Sequence, residues 1–232
     1  MIVSILIIPY ECFDFFILLC IFLGGVCLEK ENTKLELGDL DFTEKSINRK
    51  REILTIASDF YFKYGYHGTT LEAIAAKLGI TRAALYRYFT SKDDLFFQCH
   101  EAAYGQFLKE LELLTQIRNP EIRLTKMLEG HILLLLRDFP TFGPILLSFR
   151  SLPDEYRKRV NSLRMKVERI YLEAIHEWRR VSPQSIKEMD DQFLLNVLLS
   201  SVNAVPRWGK REDYPGTIAK EVVSILIDGI KK

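Results

Sequence analysis

Between Thr70 and Lys92 the chain gathers side chains suited to holding anions: Thr70, Thr81, Arg82, Tyr86, Arg87, Tyr88 and Lys92. Arg and Lys neutralise phosphate oxygens, and the Thr and Tyr hydroxyls donate to them. A guanidinium at Arg82 can also bind the paired acceptors O6 and N7 of guanine, while the methyl of Ala83 suits a thymine methyl. Residues 45–92 carry nine Lys or Arg against Glu52, Asp59 and Glu72. The formal charge of the whole chain, +1, conceals this basic segment among neutral and acidic neighbours. Other chemistries lack their residues. His67, His100, His131 and His176 have no metal-ligand spacing, and Cys12, Cys20, Cys27 and Cys99 include no C-x-x-C pair. With no glycine-rich phosphate loop and no G-x-S-x-G turn, the reading is of no catalytic residue, no metal and no cofactor. An all-α enzyme remains the weaker rival.

Such donors must be presented on a frame, and the periodicity from Ser46 onward is helical with no alternating strand-like run, so the expected fold is all-α. Ile53, Ile56, Ala57, Phe60, Tyr61 and Tyr64 define one face of a first helix, which Gly65 can end in the left-handed conformation. Thr69 or Thr70 can cap a second, short helix, with Thr69 and Glu72 at capping-box spacing. Gly79 ends it; Thr81 caps a third helix that continues inward through Ala84, Leu85 and Tyr88, and Ser91 caps a fourth. A small Ala75, the turn Gly79 and the plug Leu85 give residues 71–89 the spacing of a helix-turn-helix, in which the third helix would enter a major groove. Lys45, Arg49, Lys50 and Arg51 form a weaker basic group beside it.

This segment resembles the TetR family of transcriptional regulators over residues 47–96. The likeness is carried by Gly65-Tyr66, Thr69-Thr70, Ile74-Ala75, Leu78-Gly79-Ile80, Leu85-Tyr86-Arg87-Tyr88-Phe89 and Ser91-Lys92-Asp93-Asp94-Leu95. The resemblance implies a DNA-binding head over residues 46–96, a ligand-sensing and dimerising helical domain over 97–232, and a homodimer on a palindromic operator. It also implies a small-molecule inducer and, most often, repression. Thr70, Thr81, Arg82, Ala83, Tyr86, Arg87, Tyr88 and Lys92 are the expected DNA contacts.

Beyond the head, prolines divide the chain into amphipathic segments expected at 92–117, 121–138, 141–149, 153–180, 183–205 and 215–230, with Pro206 and Gly209 through Gly216 marking a loop. Aromatic and apolar residues over 121–181 suit an internal pocket. His131, Phe142, Phe149 and Tyr171 are its candidate ligand contacts. Arg207 and Trp208 join them because Asn203 through Trp208 resembles an N-x-x-x-R-W element found in a family branch, some of whose members sense lipid-derived or acyl-CoA ligands. Phe193, Leu194, Val197, Leu198 and Ser201, with Ile218, Val222, Ile225, Leu226 and Ile230, supply faces for a four-helix dimer seam.

Residues 1–28 are an apolar leader whose uninterrupted run from Phe15 to Leu28 falls short of the ~20 residues that span a bilayer. It lacks the cationic start of a secretory signal. The preferred reading is a reading frame begun too far upstream, which leaves a cytoplasmic protein; a membrane tether, giving a membrane-anchored DNA-binding sensor, and a cleaved signal are the alternatives. Residues 29–44 read as an acidic linker.

Overall fold

In the computed structural model the described residues are 37–137, 143, 149–208 and 214–232, with side chains described from Glu44 onward. Among them the chain forms α1 (Leu37–Gly68), α2 (Leu71–Lys77), α3 (Arg82–Leu85), α4 (Lys92–Leu114), α5 (Pro120–Arg137), α6 (Asp154–Val181), α7 (Asp191–Trp208) and α8 (Pro215–Ile230). Their only extended pairing is an isolated antiparallel bridge between Ile186 and Lys231. The leader and most of the acidic stretch lie outside the described residues, as does all of 141–149 except Gly143 and Phe149. The described end of the acidic stretch is helical from Leu37, not a linker.

In α1, Ile53, Ala57 and Tyr61 recur every four residues and are fully buried. The helical run breaks at Gly65, whose φ of 70° and ψ of 174° are not the expected left-handed helical pair but an extended, positive-φ conformation open almost only to glycine. The next break is set by threonines with different jobs. Thr70 caps α2, accepting from Ala73 N, whereas Thr69 turns back and donates to Gly65 O at 2.8 Å, so the Thr69–Glu72 capping box does not form. Gly79, at φ 64°, completes a Schellman ending: its N–H bonds Ala76 O, and that of Ile80 bonds Ala75 O. Thr81 then caps Ala84 N. The helix it opens is shorter than expected, because beyond Leu85 the chain tightens into i→i+3 bonds, Arg87 N to Ala84 O and Tyr88 N to Leu85 O.

Ser91 caps α4 by accepting from Asp94 N at 3.0 Å. Asp94 itself accepts from Thr90 and from Gln98, and these bonds hold its carboxyl below the usual range although burial alone would raise it. In the body α5 is the central rod, packed against α4, α6, α7 and α8. Asn119 caps it, and Pro120 starts it without the loss of a hydrogen bond. The segment expected as a helix from Pro183 is not one. Asp190 caps α7 by accepting from Phe193 N, and residues 183–190 instead tie down the C-terminus, Lys187 N bonding Ile230 O while Ile186 is buried. At its other end α7 passes through Pro206 to Trp208 rather than stopping before the proline.

Residues 44–232 make one compact unit, and the buried apolar side chains from Ile53 to Ile230 form one continuous cluster. The boundary placed at 96–97 falls inside α4, the helix expected over 92–117, so one continuous helix carries the chain from head to body. No atom crowds the missing side chain of Gly65 or Gly79, so only backbone strain opposes alanine at either place. Gly79→Ala should cost about 1–2 kcal/mol, and Gly65→Ala as much or more; urea unfolding of the two variants measures both.

Candidate nucleic-acid interface and interior polar cluster

Two helix starts and the turn after α3 surround an open depression of about 310 Å³, lined among others by Thr70, Glu72, Arg82, Tyr86, Ser91 and Lys92. The first-turn N–H groups of α2 and α4 supply partial positive charge here, and each helix begins with a hydroxyl cap. Arg82 stands between two partners: its guanidinium meets the Glu72 carboxylate at 2.5 Å, and bonds the Tyr86 hydroxyl at 2.8 Å while lying over that ring. The Tyr86 hydroxyl first, then the Glu72 charge, raise the pKa of a group that is already always ionised. Lys92 lies with Nζ 4.5 Å from the centre of the Tyr66 ring, and partial burial lowers its pKa. Tyr66 is fixed in turn by donating to Asp93 Oδ1.

Of the expected DNA contacts, Thr70, Arg82, Tyr86 and Lys92 line this depression; Thr81, Ala83 and Arg87 are exposed on the same short helix and its following turn. Tyr88 is half-buried and packs against the core. In the weaker basic group, Arg49 pairs with Glu52 and donates to Leu78 O, and Lys50 sits over the Phe89 ring, so both brace the head. Sequence reasoning assigned Glu72 and Ser91 to capping alone and missed them as lining residues, as it missed His67. Glu72 lies ten residues before its arginine, a spacing that a short helix, a turn and a new cap bring together only in three dimensions.

The body holds a second polar cluster. His131 on α5 and Tyr171 on α6 are both buried, with the Tyr171 hydroxyl 3.1 Å from Met127 O and 3.3 Å from His131 Nδ1. Asn203 of α7 lies close enough to favour the protonated imidazole, yet neither His131 Nε2 nor Asn203 Oδ1 completes a hydrogen bond. His100 on α4 is also fully buried with both ring nitrogens unpartnered, enclosed by the rings of Phe96, Tyr104 and Phe149. Desolvation lowers His131 to about 4 and His100 to about 3. His131 and Tyr171 are thus brought together, and Phe149 stands half-buried beside His100. Phe142 lies outside the described residues. Arg207 and Trp208 do not join the cluster: both are exposed at the end of α7. Asn203, from the same sequence element, reaches it because it lies one turn further inside α7, whereas Arg207, on nearly the same face, stands at the exposed end of the helix.

A helix-turn-helix with a cationic, hydroxyl-rich face, built into an all-helical body, defines a DNA-binding regulator. Residues 53–99 match the family model for bacterial regulatory proteins of the tetR family, and residues 118–230 match that for the tetracyclin repressor-like C-terminal domain. The chain belongs to the TetR family of transcriptional regulators. It is 28% identical over 181 residues to the nucleoid occlusion factor SlmA of Sodalis glossinidius, spanning 74% of this chain and 82% of that protein. Its structure resembles that of AibR in complex with isovaleryl coenzyme A and operator DNA, with a TM-score of 0.71 and 26% identity over 77% of this chain and 98% of that one. The fold is also that of FadR from Bacillus subtilis in complex with stearoyl-CoA, at TM-score 0.63 and 22% identity, covering 78% and 98% of the two chains. No helix among the described residues is long and apolar enough to cross a membrane.

The two buried histidines predict an acid-sensitive body. Each has a folded pKa depressed below the ordinary 6.5, so the unfolded chain binds more protons between the two values. Stability is therefore fully present above about pH 6.5 and falls as pH drops toward 4 and below. His100→Phe removes one of these groups and should flatten that acid limb by about 2–3 kcal/mol, read as urea midpoints against pH.

Proposed function

We propose that this chain is a cytoplasmic repressor that binds a palindromic operator as a homodimer and releases it when an acyl-CoA or related lipid-derived molecule enters the body. The observation that carries the reading is α4, a single helix that begins at the candidate phosphate-binding face, carries the buried His100 in its first half and packs Phe107 against the buried His131 ring in the body. An effector that shifts α5 or α6 must move α4, and the head with it. Similarity to proteins solved with isovaleryl coenzyme A and with stearoyl-CoA supports the effector class. Arg82 reads guanine, Ala83 meets a thymine methyl, and Thr70, Thr81, Tyr86, Arg87 and Lys92 hold phosphates; Tyr88 supports the helix from the core side. The reading needs no catalytic group, metal or bound cofactor.

Gel-shift titration on DNA flanking the chain's own gene tests this. Arg82→Ala should relax preference at one base pair by about 1–3 kcal/mol, whereas Lys92→Ala should weaken all sequences alike and reduce the slope of log affinity against log salt by about one. Long-chain acyl-CoA should dissociate the wild-type complex. If residues 45–92 can be deleted without loss of specific binding, the assignment fails.

Dimerisation has its own support. The proposed seam is divided by the fold: Leu194, Leu198 and Ile230 are buried within the chain, leaving Phe193, Val197 and Ile225 exposed at 59%, 41% and 73%. Three apolar side chains left in water on the last two helices fit a helical seam with a second copy. Ile225→Glu should convert dimer to monomer in sedimentation equilibrium and abolish operator binding while the helical circular dichroism persists.

A further inference from the structure

Leaving a buried polar atom without a partner costs about 1–3 kcal/mol, so such atoms in a native interior call for an explanation. His131 Nε2 and Asn203 Oδ1 are two of them, contributed by different helices and set among apolar groups. The Phe107 ring lies 4.5 Å from that of His131, and Leu128, Ile175 and Val202 are buried nearby in sequence on the same three body helices. Tyr171 limits what His131 can offer. If the tyrosine proton goes to Met127 O, the phenol oxygen accepts from Nδ1–H and Nε2 is an acceptor. If the proton goes to Nδ1, Nε2–H is a donor facing the Asn203 carbonyl. In the second state one hydroxyl satisfies both atoms, accepting from Nε2–H and donating to Asn203 Oδ1; in the first, where both atoms accept, its single proton serves only one of them. A thioester carbonyl only accepts, and a methylene chain satisfies neither.

We propose that His131 and Asn203, backed by Tyr171, bind a hydroxyl group carried on the otherwise apolar part of the effector, so that the chain prefers hydroxylated acyl thioesters to plain ones. This rests on the acyl-CoA reading above and names the class within it. A site built to hydrogen-bond a hydroxyl rejects the analogue lacking it, because the site's own polar atoms are then left bare.

The test is calorimetric titration of the full-chain protein with dodecanoyl-CoA, β-hydroxydodecanoyl-CoA and ω-hydroxydodecanoyl-CoA. One hydroxylated ester should bind at least about tenfold more tightly than the plain one, the worth of a single net hydrogen bond. Asn203→Leu should bring that ester and the plain one to within about threefold of each other. Equal affinities in the wild type, as expected if a trapped water already fills the gap, overturn this proposal alone, as does a preference that survives Asn203→Leu undiminished. Binding of none of the three overturns the acyl-CoA reading and this proposal with it. The wild-type comparison decides even if the variant does not fold.

Discussion

Phe96 and Phe97 are neighbours on α4, about 100° apart around the helix axis, and they face different parts of the molecule. Phe96 packs against Tyr61 and Tyr66 of the head, with ring centres at 4.5 and 5.1 Å, while Phe97 stacks on Tyr156 of α6 at 4.7 Å. Both are almost fully buried. Because close-packed interiors transmit displacement rather than absorb it, this pair joins the two halves mechanically, and neither half can turn far without the other. The cap at Ser91 and the Asp94 network fix where α4 begins, and so fix where Lys92 is presented.

The side chains proposed to meet DNA are organised by the protein itself. Arg82 is held between Glu72 and Tyr86, and Lys92 over Tyr66. The exposed contacts of Arg82 are weak, since water and salt screen them. Their effect is on conformation: a guanidinium confined to one side of a shallow depression loses less side-chain freedom on binding than a freely rotating one. On the proposed guanine contact, Arg82 would exchange the Glu72 carboxylate for a base edge and leave Glu72 near the DNA, where a negative charge opposes indiscriminate phosphate binding.

The interior follows the opposite rule. Tyr171, His131 and His100 lie where water cannot compensate for a missing partner, so each unsatisfied nitrogen works against stability and marks a place where packing has not been optimised for folding alone. His131, Tyr171 and Asn203 come from α5, α6 and α7, and His100 from α4. A molecule bonded among them would touch the same helices that Phe97 and Tyr156 couple to the head, which makes ligand binding and head position parts of one equilibrium.

Local signals in the sequence were sufficient for the helix-turn-helix: Thr81 and Ser91 as caps, Gly79 as the positive-φ turn and Leu85 as the buried plug are each decided within four or five residues by backbone hydrogen bonding and sterics. The helical class of the body and the starts of α5 and α8 at prolines were legible for the same reason. Tertiary structure decided what depends on distant partners. It chose Thr70 over Thr69 as a cap, delayed α7 until Asp190 because Ile186 is needed against the C-terminal segment, carried α7 through Pro206, and placed Glu72 against Arg82. It also placed Asn203, one turn inside α7, in the interior and left Arg207 and Trp208 exposed at the helix end. A sequence element names the residues it contains, but the face each one presents is set by which neighbouring helix offers apolar surface to bury against.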